Sequence, residues 1–429
     1  MMRSMYSGVS GLRVHQNKMD VISNNIANVN TIAYKRGTMT FQEVFSQVIR
    51  GASAPQDGRG GTNPQQIGLG VSVGSINTIH TKGPAQRTDN PEDLMIDGEG
   101  FFVVSADPNF ENRYYTRAGN FTLDRDGNLV TADGYKVLGY LADEDGNITS
   151  QVGGIQINRS ETVGATTTKK IEIRGNLDSR TPAATDPDNP DDENVHYADT
   201  VIKDSLGNSY TVTFRFVKDE DPNTWLVDIV SVKGADEEDF ETNPSNVPIE
   251  ITFADNGKLD EDSTNSMILT ITKAGVSFGD DDGNITIDFS QLTQYANEMD
   301  AKPYAVDGNS SGKLEGYAID ASGIVVGIFT NGERKALAQI MLAKFDNPMG
   351  LQKIGGNLFV DTRNSGEPQL GRAGSSGYGP IAPGTLEMSN VDLSLEFTEM
   401  ITTQRGFQAN SRIITTSDEM LQELVNMKR

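Results

Sequence analysis

Apolar residues recur at three- and four-residue spacing over long stretches only at the two ends of the chain. Met5, Val9, Leu12, Met19, Ile22 and Ile26 do so near the start, and Leu393, Phe397, Met400, Phe407, Ile414 and Leu421 near the finish. This period predicts an amphipathic helix at each terminus. Isolated helices of this length are marginal in water and gain most of their stability by packing an apolar stripe. Each terminus therefore needs the other, or a second copy of the chain, and these twelve residues are the candidate assembly interface.

The polar faces carry little charge. The first helix shows Ser7, Ser10, Gln16, Asn17, Ser23, Asn24, Asn25 and Asn28, and the last shows Thr402, Thr403, Gln404, Gln408, Asn410, Ser411, Thr415 and Thr416. Such a face suits identical subunits or a polar tunnel, and equally an ordinary helical hairpin with a Ser/Asn-rich exterior. The run Asn24 to Thr31 predicts the end of the first helix, because asparagine side chains compete with the helical backbone. The spacing of Met39, Phe41, Val44, Phe45, Val48 and Ile49 predicts a short helix over 38–49.

Between the ends the period becomes that of strands. Leu94 to Val104 reads as two strands around a glycine turn, and Ser209 to Val217 alternates strongly before Thr224 to Val230 continues the sheet. Asp126-Gly127, Asp133-Gly134 and Asp145-Gly146 predict hairpins with primed turns. Residues 51–70 and 371–383 are Gly- and Pro-rich and read as linkers. The economical path is nested. Residues 1–35 plus 386–429 form a helical coiled-coil domain, 36–70 plus 371–385 a linker or hinge, 71–153 plus 301–370 an inner β domain, and 154–300 an outer β domain. The expected class is mainly β with terminal α-helices, the two β-rich domains lying outside the helical one.

Length and charge refine this picture. At 429 residues the chain is long for one core. No cysteine is present, which excludes disulfides, thiolate metal sites and cysteine nucleophiles. No apolar run is long enough for membrane insertion, and the first 30 residues lack a secretory signal, so any export is expected without a cleaved signal peptide. Net charge is −24, and residues 186–300 hold 27 acidic against 6 basic side chains. That segment repels phosphate backbones, so nucleic acid is not an expected partner.

Candidate chemistry is thin. Gly70-Val71-Ser72-Val73-Gly74 matches the G-x-S-x-G string, but Ser72 opens an alternating stretch with no helix after it. His15, His80 and His196 fall in unrelated contexts and suggest no metal site. Loops starting at Asp124, Asp143 and Asp280 resemble calcium loops, yet position 12 is Tyr135, Gly154 or Gln291 rather than a closing glutamate. The expectation is no enzyme, no cofactor and no metal.

Several motifs carry a family resemblance. Ser10-Gly11-Leu12, Asn24-Asn-Ile-Ala-Asn-Val-Asn-Thr31 and Tyr34-Lys35 resemble the N-terminal signature of bacterial flagellar rod and hook proteins. Ser389-Asn-Val-Asp-Leu-Ser394, Met400-Ile, Gln404-Arg, Gln408-Ala-Asn-Ser411 and Met420-Leu resemble the C-terminal one. Asp97-Gly-Glu-Gly-Phe-Phe102 and Tyr115-Thr-Arg-Ala-Gly-Asn-Phe121 resemble the inner β domain. The large centre, from Val201 through Trp225, is similar to hook-type members; residues 46–69 resemble an insertion of the distal rod type and of some hook types.

The resemblance implies a self-assembling curved tube that acts as a universal joint between rod and filament and encloses an export channel. It implies an extracellular place on the flagellum. It also implies as partners other copies of the chain, the distal rod protein, the hook cap protein, the hook–filament junction protein and the flagellar type III export apparatus. The alternatives are a distal rod component of the basal body and a β-rich surface adhesin.

Overall fold

The computed structural model describes residues 2–55, 60–183, 194–234, 242–244, 248–260, 263–271, 276–280, 283–375 and 377–427. The chain is mainly β, with helix α1 at Met2–Ala27 and helix α2 at Leu393–Asn426. It divides into two compact units. Unit 1 comprises 1–158, 318–326 and 335–429, and unit 2 comprises 159–317 and 327–334.

Unit 1 holds both helices and a sheet in which Arg334–Lys344, Lys136–Ala142, Phe101–Ser105, Tyr114–Thr116, Leu358–Val360 and Gln352–Gly355 lie side by side. Every residue of Phe101–Ser105 is buried. Phe101, Val103, Tyr115, Leu138, Met341, Phe345 and Phe359 form a core cluster there. The strands flanking the expected glycine turn do form, but Leu94–Ile96 pairs with Ile381–Pro383 and Phe101–Ser105 joins the main sheet. Together with Ala85–Arg87 paired to Thr385–Glu387, these ribbons bring the returning chain beside residues that follow α1.

Residues 38–49 are not helical. Gly37–Glu43 pairs antiparallel with Val71–Thr78, and Ser46–Arg50 pairs with Gln65–Gly68. Thr38, Thr40, Phe41, Val44, Val48 and Ile49 are β-branched or aromatic, and their propensity outweighs a helix-like spacing over so short a run. The linker expected at 51–70 thus contains a strand.

Unit 2 packs a five-stranded sheet (Thr242–Pro244, Ser266–Ile271, Asn284–Tyr295, Lys170–Asp178, Lys302–Val306) with a four-stranded one (Val195–Lys203, Ser209–Lys218, Thr224–Lys233, Ile249–Thr252). Ile171, Ile173, Val212, Phe214, Phe216, Trp225, Ile285, Ile287 and Phe289 share one core drawn from both. Alternation along Ser209–Lys218 sends Tyr210, Val212, Phe214 and Phe216 inward. Lys302–Val306 pairs with Lys170–Asp178, which places 301–317 in this unit rather than with the inner β residues to which the sequence assigned them.

The Asp-Gly turns form, with a different geometry from the primed one. Gly127 N–H returns to Asp124 O and Asp124 N–H to Asn128 O, with Gly127 at φ 82° and Asp126 not at positive φ. That is a type I turn closed by a glycine bulge. The same pattern recurs at Gly146, Gly207 and Gly323. In each the leading aspartate turns inward: Asp124 Oδ1 accepts from Asp126 N and Asn128 N, Asp143 Oδ1 from Asp145 N and Asn147 N, and Asp320 Oδ1 from Ser322 N and Ile324 N. These carboxylate oxygens close their own loops, which accounts for the acidic turn motif without a cation. Among the described residues no three His, Asp or Glu side chains converge as a metal site.

Candidate assembly surface

The two helices of unit 1 pack antiparallel, more through small and polar groups than through the apolar stripe. Ser4 Oγ meets Ser417 Oγ at 3.5 Å, and Asn25 Nδ2 donates to Glu396 Oε2 at 3.2 Å. Between these ends a Cβ on Gly8 would lie 3.3 Å from Ile414, one on Gly11 2.8 Å from the Asn410 amide, and one on Gly406 2.6 Å from the His15 ring. Lys18 Nζ pairs with Glu399 Oε2 at 3.3 Å. On α2, buried Glu396, Thr403 and Ser417 and half-buried Asn410 stand seven residues apart, a seam column with no apolar member. Asp392 caps α2, its Oδ1 accepting from Ser394 N and Leu395 N.

The twelve residues read from the sequence therefore divide. Ile22 is 2% exposed, inside the pair. Met5, Leu12, Met19, Ile26, Met400, Ile414 and Leu421 are half-buried along its flanks. Val9, Leu393, Phe397 and Phe407 are exposed, the last at 41%. The exposed apolar set extends further, to Tyr6, Leu395, Ile401, Ile413, Met420 and Leu424 on the helices and to Phe41, Phe45, Val48, Ile49 and Ile67 in or beside the strands Gly37–Glu43, Ser46–Arg50 and Gln65–Gly68. A single periodic stripe per helix leaves out the helix positions, and a helical reading of 38–49 hides the strand ones. Apolar positions outside that stripe were the available signal.

At the base of the pair both termini are tied to the sheet by a buried charge cluster. Lys35 Nζ donates to Glu387 Oε1 at 2.6 Å and to Thr81 O at 2.7 Å, and Gly83 N–H reaches the same Oε1 at 2.8 Å. Arg117 Nη1 lies 3.6 Å from Glu387 Oε2. Burial pushes the Lys35 ammonium below the usual lysine range, and Glu387 pushes back. His80 stands against the Phe101 and Phe359 rings with neither ring nitrogen hydrogen-bonded, and burial beside Lys35, Arg117 and Lys353 lowers its pKa to about 4. Asn390 completes the tie, accepting from Arg36 N at 2.8 Å and donating to Ile79 O at 2.9 Å. Tyr34-Lys35 and Ser389-Asn390 were visible as motifs; Glu387 and His80 carried no signal that distinguished them.

Ser72 lies within Val71–Thr78, opposite Gln42, and not on a strand-to-helix turn. The three histidines occupy the helix seam, the unit 1 core, and a site in unit 2 where His196 Nε2 meets Ala301 O at 2.7 Å.

Comparison with known proteins gives four family matches in chain order. These are the flagella basal body rod protein family over residues 5–35, the flagellar hook protein FlgE/F/G D1 domain over 95–176, the flagellar basal body protein FlaE D2 domain over 176–309, and the flagellar basal body rod FlgEFG protein C-terminal family over 382–427. The chain is 42% identical to the flagellar hook protein FlgE of Borreliella burgdorferi and 36% identical to that of Treponema pallidum, each alignment covering 100% of both chains. The crystal structure of Helicobacter pylori flagellar hook protein FlgE2 is similar in fold, with a TM-score of 0.52 at 17% identity over 71% of this chain and 100% of that one.

Proposed function

The chain belongs to the flagellar hook protein family, and we propose that its copies join through the exposed apolar side chains of the paired helices while the polar seam fixes the pairing within each copy. The family makes it a self-assembling structural component of the flagellar hook, not an enzyme. The observation that carries the proposal is the mismatch in unit 1. Leu393, Phe397, Ile401 and Phe407 remain in water although a stabilising partner is what an amphipathic helix requires. A second copy supplies it, the helices stacking as coiled coils around a channel lined by exposed uncharged side chains such as Gln16, Asn17, Thr402, Gln404 and Gln408.

Residues 1–35 plus 386–429 then form the inner wall, 36–70 plus 371–385 the hinge, 71–158 plus 318–370 the layer outside it, and 159–317 the acidic exterior. Polar, wet outer contacts slip as the tube bends, and the apolar inner contacts carry torque. The chain reaches the outside of the cell through the flagellar export apparatus. It adjoins the distal rod, cap and junction proteins at the tube's ends. Leu393→Asp or Phe407→Asp tests the interface, because a carboxylate buried in an apolar contact costs several kcal/mol. Purified variants are expected to keep wild-type helicity by circular dichroism and to form no tubes by electron microscopy. Tubes of normal length from both variants would sink the assignment.

A further inference from the structure

A pocket of about 300 Å³ opens in unit 2 where the ends of several elements meet. Ser179 follows Lys170–Asp178, Asn223 precedes Thr224–Lys233, Ala254 to Gly257 form a turn, and Gln294, Tyr295 and Ala296 end or follow Asn284–Tyr295. Its walls are fixed by backbone bonds: Gln294 N–H to Gly257 O at 2.8 Å, Phe253 N–H to Asn223 O at 2.9 Å and Ser179 N–H to Tyr295 O at 3.3 Å. Asn223 sits at φ 61° in the turn from Asp221 to Thr224, a left-handed conformation that asparagine adopts more readily than most residues.

Elsewhere aspartates such as Asp204 spend their oxygens on their own turns. Here the side chains of Asn223, Asp255 and Gln294 make no hydrogen bond or ion pair among the described residues, and Gln294 Nε2 is fully buried while lacking a partner. Beside these groups Tyr295 is 46% exposed, and the turn closes on its ring so tightly that a Cβ on Gly257 would come within 2.5 Å of Cε1.

We propose that this pocket binds a neutral polyhydroxylated ligand, a saccharide ring, with Tyr295 against its C–H face and the side chains of Asn223 and Asp255 exchanging hydrogen bonds with its hydroxyls. Each hydroxyl donates and accepts, which matches an amide beside a carboxylate. Anions are disfavoured. No lysine or arginine lines the pocket, and Lys218 Nζ is committed to Ser179 O and Thr181 O at 2.6 and 2.7 Å. The volume suits one or two rings in a shallow, weak site.

The test is saturation-transfer NMR on the full chain with chitotriose, maltotriose and laminaritriose, each raised to about 10 mM. At least one is expected to bind saturably, and to weaken about tenfold or more in Tyr295→Ala and in Asp255→Ala. Both positions are exposed, and wild-type circular dichroism checks that the variants fold. Absence of binding by all three sugars overturns the site, as does binding that neither substitution weakens. Tube formation by the same variants reads the assembly function separately, since neither residue lies on the helices.

Discussion

His80 is kept neutral by its surroundings, and acid should reveal it. Its folded pKa, about 4, lies below the ordinary 6.5 because burial and the nearby Lys35, Arg117 and Lys353 all disfavour a further positive charge. The unfolded chain therefore takes up this proton first. Stability is complete above about pH 6.5 and falls as pH drops toward 4, by about 3 kcal/mol for this group alone. Thermal unfolding of the subunit between pH 7 and 4 should show a steeper loss for the native chain than for His80→Leu; parallel curves would show that other groups dominate. The neighbouring Lys35–Glu387 pair is argued differently. Glu387→Gln leaves a buried lysine without its counter-charge and should cost about 3–5 kcal/mol, whereas adding Lys35→Met should recover much of that loss. Chemical denaturation of the two single variants and the double variant measures it.

At the scale of elements, the helices and the seam between them were unequally legible. Long apolar periodicity announced α1 and α2, and the asparagine run marked where α1 stops, at Ala27. The seam was invisible, because a search for apolar residues passes over Gly8, Gly11, Thr403, Gly406 and Asn410, whose value is small size or hydrogen bonding. The same search favoured a helix at 38–49, where a few apolar residues fit either period and only pairing with 65–78 decides for strands. Asp-Gly pairs located hairpins correctly but not their turn type, which depends on how the leading aspartate accepts backbone hydrogens. Close packing at the seam yields its own prediction. Alanine for glycine normally raises helix stability by about 1 kcal/mol, yet at Gly406 the added carbon meets the His15 ring at 2.6 Å. Gly406→Ala should therefore weaken the pairing despite better propensity. Lower helicity or a raised concentration for tube formation would show it, and a gain in both would mean that His15 swings away freely.

For the whole molecule the decisive quantity is the uneven charge, with a balance of −21 confined to residues 186–300 of a chain whose total is −24. Apolar contacts between helices and repulsion between acidic exteriors respond to salt in opposite ways. Raising ionic strength from 0.1 to 1 M shortens the screening length from about 10 to about 3 Å, which removes most repulsion between exposed carboxylates on adjacent copies. Burial of apolar surface is not weakened by that screening. The concentration of subunit needed to form tubes should therefore fall with salt for the full chain. A chain lacking about 159–317 should still assemble, should form straighter tubes and should show a much flatter salt dependence. Turbidity and electron microscopy across a salt series compare the two. Equal salt dependence would place the governing charges in the helical region, on pairs such as Lys18–Glu399, and complete loss of polymer on deletion would make the acidic segment part of the lattice.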